Sequence, residues 1–537
     1  MKKYNIYIPV LLAVAMIAGL FLGNMLGRKS QPVYNGSRMT VGNKLNITLD
    51  LIDKKYVDKV ESKKIIEKTI PQMLENLDPH SSYIPAKYMQ EVEEEMRGNF
   101  SGIGVRFSIQ EDSVVVIAVI SGGPSENVGV MQGDRIVMVD DTLIAGVGVK
   151  DERVLKLLRG IKGTRVRTKN YRRGFPELLE FEITRGDIPL TSIDVSYMID
   201  EETGFVKIGR FSEQTYSEFK DSMDTLIGKG AEKVIIDLRS NQGGSLTAVV
   251  RMVDEFLEAG EPILITRGKS QPEKIYNASD RNAYANINVI ILIDEFSASA
   301  SEIMAGAIQD NDRGIIVGRR SFGKGLVQEQ TSFSDGSAIR LTVARYYTPS
   351  GRCIQKPYTE GNDKYSEDLY MRLLHGEMLN ADSIHFADSL KYYTKNGRLV
   401  YGGGGIMPDI FVPADTTGRS DYYVKIHQQR LNYQFAFQYS DQNRETLKKL
   451  GTAQAIEKWL DNQNIMDIFI RYAESKGVPY SEEGMRLSGE IIKTQVKANI
   501  AQNILGEEGF YPIIQQIDKT LLKAIDISRQ NLLEDNL

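Results

Sequence analysis

Val289, Ile290, Ile291, Leu292 and Ile293 form an unbroken run of large apolar residues. Successive side chains of a strand point to opposite faces, so such a run predicts a strand buried on both faces of a sheet, the mark of an α/β core. Glu295 to Ser297 break the run. From Ala300 the apolar residues fall at Ala300, Ile303, Met304, Ala307 and Ile308, the spacing of one helical face. Ser299 therefore stands at a helix start, where it has two readings. It caps the helix, or it is a nucleophile: the small residues Ser297 to Ser301 let a substrate carbonyl approach, and the first free N–H groups of the helix stabilise an oxyanion.

A nucleophilic serine needs a base. The four histidines, His80, His375, His385 and His427, all lie far from Ser299 in sequence, although a fold can close that distance. Lysine is the other solution. Lys324 sits between two glycines in Phe322-Gly323-Lys324-Gly325, and Gln328 follows four residues on. In an extended segment Lys324, Leu326 and Gln328 share one face, so the amide can hold the amine. A lysine that is neutral at pH 7 has its pKa brought down from about 10.4 to about 7, a cost of about 4 kcal/mol, which demands burial. The alternative is a surface lysine in a glycine-rich hairpin.

The SASASE segment with its preceding strand, AGAIQD after it, and FGKGLVQ at its distance resemble the C-terminal processing (tail-specific) peptidases, serine proteases with a Ser/Lys dyad and a PDZ domain. The resemblance covers about residues 45–415. It implies Ser299 as nucleophile, Lys324 as general base and Gln328 as the residue that orients the lysine. It also implies a bacterial envelope protease that processes or degrades proteins with accessible C-terminal tails and needs no cofactor.

Composition narrows the alternatives. The 537 residues are enough for several domains. Sixty-six Lys and Arg against 71 Asp and Glu leave a net charge of −5, which with no long basic run argues against nucleic-acid binding. The single cysteine, Cys353, excludes an internal disulfide and a multi-cysteine metal site, and the HExxH pattern of zinc hydrolases is absent from the sequence. No metal is expected.

Residues 1–29 read as a targeting segment, because the apolar stretch from Ile6 to Leu26 follows Lys2 and Lys3. An uncleaved single-pass anchor in the inner membrane is expected, with a cleaved signal peptide as the alternative, and the resemblance implies a catalytic part facing the periplasm or exterior. Residues 30–98 have helical periodicity, interrupted by the breaker-rich Leu77 to Pro85, whose His80 is read as making local hydrogen bonds rather than as a base. Residues 99–187 read as a β-rich domain similar to a PDZ domain. There the Gly102-Ile103-Gly104-Val105 loop offers N–H groups to a peptide carboxylate, and the following strand pairs with the peptide.

The protease core is expected over 188–415, with 357–399 as an insertion. In it Val234 to Leu246 is a buried strand running into a glycine turn. Gly243 and Gly244 then sit at a strand end, where α/β sheets collect ligands. Either the turn needs glycine sterically, or their N–H groups join that of Ala300 as an oxyanion hole, which the resemblance to the family's Asp/Asn-x-Gly-Gly motif implies. Residues 416–537 are a helical extension with Trp459, Phe469, Tyr472 and Ile513 as core residues, and a role in homo-oligomerisation or gating is open. The whole chain reads as a multidomain α/β protein: a β-rich PDZ-like domain inserted before an α/β protease core, with helical N-terminal and C-terminal regions. The rival function is a PDZ-based scaffold on an inactive core, for which loss of Ser299 or Lys324 would be the sign.

Overall fold

A computed structural model of the chain describes residues 13–19 and 41–530. Residues up to Gln72 form one compact unit and those from Met73 another. The first contains the helix Val41–Lys55 and most of the helix Ser62–Glu75. The expected membrane anchor is not supported, because among the described residues no helix is long and apolar enough to cross a membrane. Within 1–29, positions 13–19 are helical, and the rest of that expectation lies outside the described residues.

In the second unit a six-stranded sheet organises the region expected over 188–415. Its order is Ile193–Met198, Thr203–Ile208, Lys233–Asp237, Asn288–Ile293, Gly314–Gly318 and Ile410–Phe411, and only the first pair is antiparallel. The apolar run at 289–293 lies in the interior of this sheet, paired on both sides. Alternate residues go to opposite faces. Val289, Ile291 and Ile293 share one cluster with the helices Thr215–Gly228, Leu246–Asp254 and Ala300–Asp310.

Ile290 and Leu292 pack on the other face with Phe205, Ile235 and Val317. Their cover is the last described helix, Lys519–Arg529, through Leu521, Ala524, Ile525 and Ile527. The C-terminal extension is thus part of the sheet's core. Its other helices, from Asp421–Gln428 to Glu507–Ile514, form a bundle whose interior includes Phe469 and Ile513, with Trp459 and Tyr472 partly buried against it. Asp518 caps the final helix and also meets Arg239 at 2.7 Å, just after a core strand.

The β-rich domain opens with Asn99–Gly102 and closes with Gly186–Pro189, which pair antiparallel so that the chain enters and leaves by one ribbon. Its main path runs Val105–Gln110, Ser113–Val119, Arg135–Val139, Arg165–Tyr171, Leu179–Thr184. Val154 and Leu158 of the helix Asp151–Leu158 are buried in its core. Ile103 packs inside, Gly102 and Gly104 are buried, and Val105 begins an edge strand. The domain meets the helical bundle through polar contacts, Arg106 to Glu507 at 3.0 Å, Arg173 to Asp441 at 3.5 Å and Gln132 to the Asn503 carbonyl.

A second, antiparallel sheet stands beside the core. The long strand Ala338–Tyr347 pairs with Leu326–Ser332, with Pro262–Gly268 and with Ser82–Ile84. The turn expected at Leu77 to Pro85 therefore contains a strand, because Ser82 to Ile84 find backbone partners in a distant segment. The residues expected as an insertion hold the helix Asn362–Leu374, with Tyr365 and Arg372 buried.

Leu521 is 2% exposed and shares its cluster with the core strands. Leu521→Ala is expected to destabilise the core by about 2–5 kcal/mol. Urea unfolding followed by far-UV circular dichroism will show this as a lower first midpoint.

Candidate active site

Two turns meet at the ends of adjacent parallel strands, Lys233–Asp237 and Asn288–Ile293, and buried side chains fix them together. One Asp294 oxygen accepts from Ser240 N–H at 2.9 Å, Phe296 N–H at 3.0 Å and Ser297 N–H at 3.1 Å, so one carboxylate holds both turns. Asn241 continues the brace. Its carbonyl accepts from Ala298 N–H at 3.0 Å and Ser301 Oγ at 2.9 Å, and its side-chain oxygen accepts from Gly243 N–H at 2.8 Å.

Ser299 has φ 56° and ψ −111°, a conformation that costs a non-glycine residue about 1–3 kcal/mol and persists only where its surroundings impose it. Gly243 lies directly against it: a β-carbon there would stand 2.7 Å from Ser299 Cβ and from the Ala298 carbonyl. Gly244 has φ 141°, and a β-carbon would stand 1.9 Å from the Phe211 carbonyl. Both positions therefore require glycine. Of the three N–H groups expected to face an oxyanion, that of Gly243 is taken by Asn241, which corrects the expectation for that group.

Glu302, in the first turn of the Ala300–Asp310 helix, is fully buried. One oxygen accepts from Ser299 N–H at 2.9 Å and Lys324 N–H at 2.8 Å. The other accepts from Gly323 N–H at 2.6 Å and Ser321 Oγ at 2.5 Å. One carboxylate thus ties the serine turn to the lysine turn. Tyr346, also buried, donates its hydroxyl to the Lys324 carbonyl and lies 3.1 Å from the Ser299 carbonyl.

Lys324 is half-buried, and its Nζ donates to Gln328 Oε1 at 3.3 Å. Burial, followed by the positive charge of Arg340, holds the amine below the ordinary lysine value. The Gln328 amide nitrogen donates in turn to the backbone carbonyl of His80. Ser299, Ala300, Lys324, Gln328 and both glycines line one cleft of about 1070 Å³. Among the described residues that line it there is no histidine.

The sequence reading named Ser299, Lys324 and Gln328, and these stand in the one cleft. It missed Glu302, Asp294, Asn241 and Tyr346. Glu302 had a signal, because Ser299-x-x-Glu302 before an apolar helical face is a capping-box pattern.

Burial pushes the Glu302 carboxyl up to about 7 from its ordinary 4.5, against the pull of its four donors. Because the folded value is raised, this proton linkage contributes stability fully below about pH 4.5, and the contribution is lost as pH rises through about 7. The stability gap between wild type and Glu302→Gln is expected to narrow across that window in urea titrations at successive pH values. Glu302→Ala leaves four donors without their acceptor and is expected to destabilise the fold by at least about 3 kcal/mol, measured in the same titrations.

Residues 202–363 match the family model described as Peptidase family S41, and residues 101–183 match that of the PDZ domain. Residues 422–506 match a family of unknown function. The carboxy-terminal-processing protease of Bartonella bacilliformis is 33% identical over 350 residues, covering 64% of this chain and 80% of that protein. Carboxy-terminal processing protease CtpA of Bacillus subtilis is 30% identical over 361 residues, 66% of this chain and 76% of its own length. A PDZ domain preceding an S41 core, together with identity at this level over most of each relative's length, means that the chain belongs to the carboxy-terminal processing proteases of peptidase family S41.

Proposed function

We propose that the protein is a serine endopeptidase in which Ser299 is the nucleophile, Lys324 the general base and Gln328 the group that orients the amine. The observation that carries this reading is the half-buried Lys324 Nζ, held by Gln328 in the cleft that Ser299 lines, with no histidine among the described residues that line that cleft. Burial favours the neutral amine, which can accept a proton from the serine hydroxyl. Ser299 Oγ attacks the peptide carbonyl and Lys324 takes its proton. The tetrahedral oxyanion is stabilised by the N–H groups of Gly244 and Ala300.

Collapse of that intermediate breaks the C–N bond, with Lys324 returning the proton to the departing amine. Water, activated by the same amine, then hydrolyses the acyl-enzyme. The substrates are proteins with accessible C-terminal tails. The Gly102 to Val105 loop takes the terminal carboxylate on its backbone N–H groups, and the edge strand Val105–Gln110 adds the peptide as a further strand.

Cleavage of an unfolded protein with an apolar C-terminus tests this reading. Ser299→Ala and Lys324→Ala are expected to lose at least about 10³-fold in kcat while keeping the wild-type circular dichroism spectrum. Retained activity in Lys324→Ala would remove the lysine base from the mechanism. The wild-type kcat/KM should rise with pH as Lys324 loses its proton. In Arg340→Gln, where one of the charges that lowers the amine is gone, the same limb should move to higher pH.

A further inference from the structure

We propose that Tyr365 and His80 are positioning residues for the lysine base, acting through the Gln328 side chain, so that the helix Asn362–Leu374 is a working part of the protease. The inference rests on the reading of Lys324 as base and Gln328 as its orienter. Four links support it. Lys324 Nζ donates to Gln328 Oε1, and Gln328 Nε2 donates to the His80 carbonyl. The His80 ring nitrogen Nε2 lies 2.7 Å from the Tyr365 hydroxyl. Tyr365 itself is buried in the first half of the helix.

Gln328 has one oxygen and one NH2 group, and the two contacts use both ends of the amide. The carbonyl of residue 80 therefore decides which way the amide faces the amine: an anchored NH2 leaves only the oxygen to meet Lys324. His80 is fixed from the other side as well. Its N–H donates to Asp78 at 2.8 Å, and Asp78 also accepts from Ser81 N–H, Ser81 Oγ and Thr342 Oγ1. That leaves ring rotation and small shifts of the backbone as the freedom that Tyr365 removes.

The same helix reaches the base turn by a second route. Arg372 donates to the carbonyls of Ser321 at 3.0 Å and Arg320 at 2.7 Å, just before the Phe322 to Gly325 turn. The Tyr365 ring lies edge-on to His80 at 5.3 Å and to Phe322 at 6.0 Å, with Lys356 Nζ 4.1 Å from its centroid. A tyrosine used only to fill space would keep all of these ring contacts as phenylalanine. The hydroxyl is what the proposal needs.

The test is steady-state cleavage of an internally quenched peptide with an apolar C-terminus by the full chain. Wild type, Tyr365→Phe, Gln328→Ala and their double variant are compared, with urea midpoints measured beside them. Tyr365→Phe is expected to lower kcat roughly tenfold, with KM and the urea midpoint unchanged, and to have no further effect once Gln328 is alanine. His80→Phe, which keeps a ring and has no ring nitrogen, should reproduce the loss. Wild-type kcat in Tyr365→Phe, or a full further loss in the double variant, would overturn the inference while leaving a defective Gln328→Ala to support the orienting role. A fully active Gln328→Ala would overturn that role and this inference together.

Discussion

Glu302 has no exposed surface, and its two oxygens accept hydrogen bonds from four donors that belong to two separate turns. A buried carboxylate is tolerable only when its acceptor sites are filled, so the serine turn and the lysine turn must come together for either to fold without penalty. This couples chemistry to stability. Bonds from Asp294 and Asn241 add the glycine turn to the same cluster. With the main chain of all three turns committed, the backbone of Ser299 can be held at a positive φ that a lone serine would leave.

The sheet beneath these turns follows a simpler constraint, because its central strands are apolar on both faces and each face needs its own cover. One face is covered by the helices that connect the strands. The other cover is Lys519–Arg529, which follows the last core strand by about a hundred residues and a whole helical bundle. Periodicity identifies that helix as amphipathic. It cannot say which apolar surface the helix meets, and for this reason the tail reads in sequence as an extension.

The same division holds at the site. Ser299 and Lys324 were legible because their surroundings are unusual in type: small residues at a helix start, and a lysine between two glycines. Gln328 was legible by its spacing from Lys324 along an extended segment. Glu302 was overlooked although its capping-box spacing was present, since such a pattern normally describes an exposed helix end and not a buried link to a turn some twenty residues on. His80 was set aside as a base, but its backbone carbonyl serves Gln328, a role no side-chain pattern encodes. Gly243 was read as a donor, whereas its N–H faces Asn241 and its lack of a side chain is what makes room for Ser299.

The position of the sheet's second cover, about a hundred residues after the last core strand, bears on biosynthesis. Translation delivers Ser299 and Lys324 long before Lys519–Arg529, so a ribosome-bound nascent chain exposes Ile290, Leu292 and Val317 with nothing of its own to lay over them. The core is complete only when the Lys519–Arg529 helix has left the exit tunnel. A chain cut short before Lys519–Arg529 would carry Ser299 and Lys324 on a sheet with one apolar face uncovered.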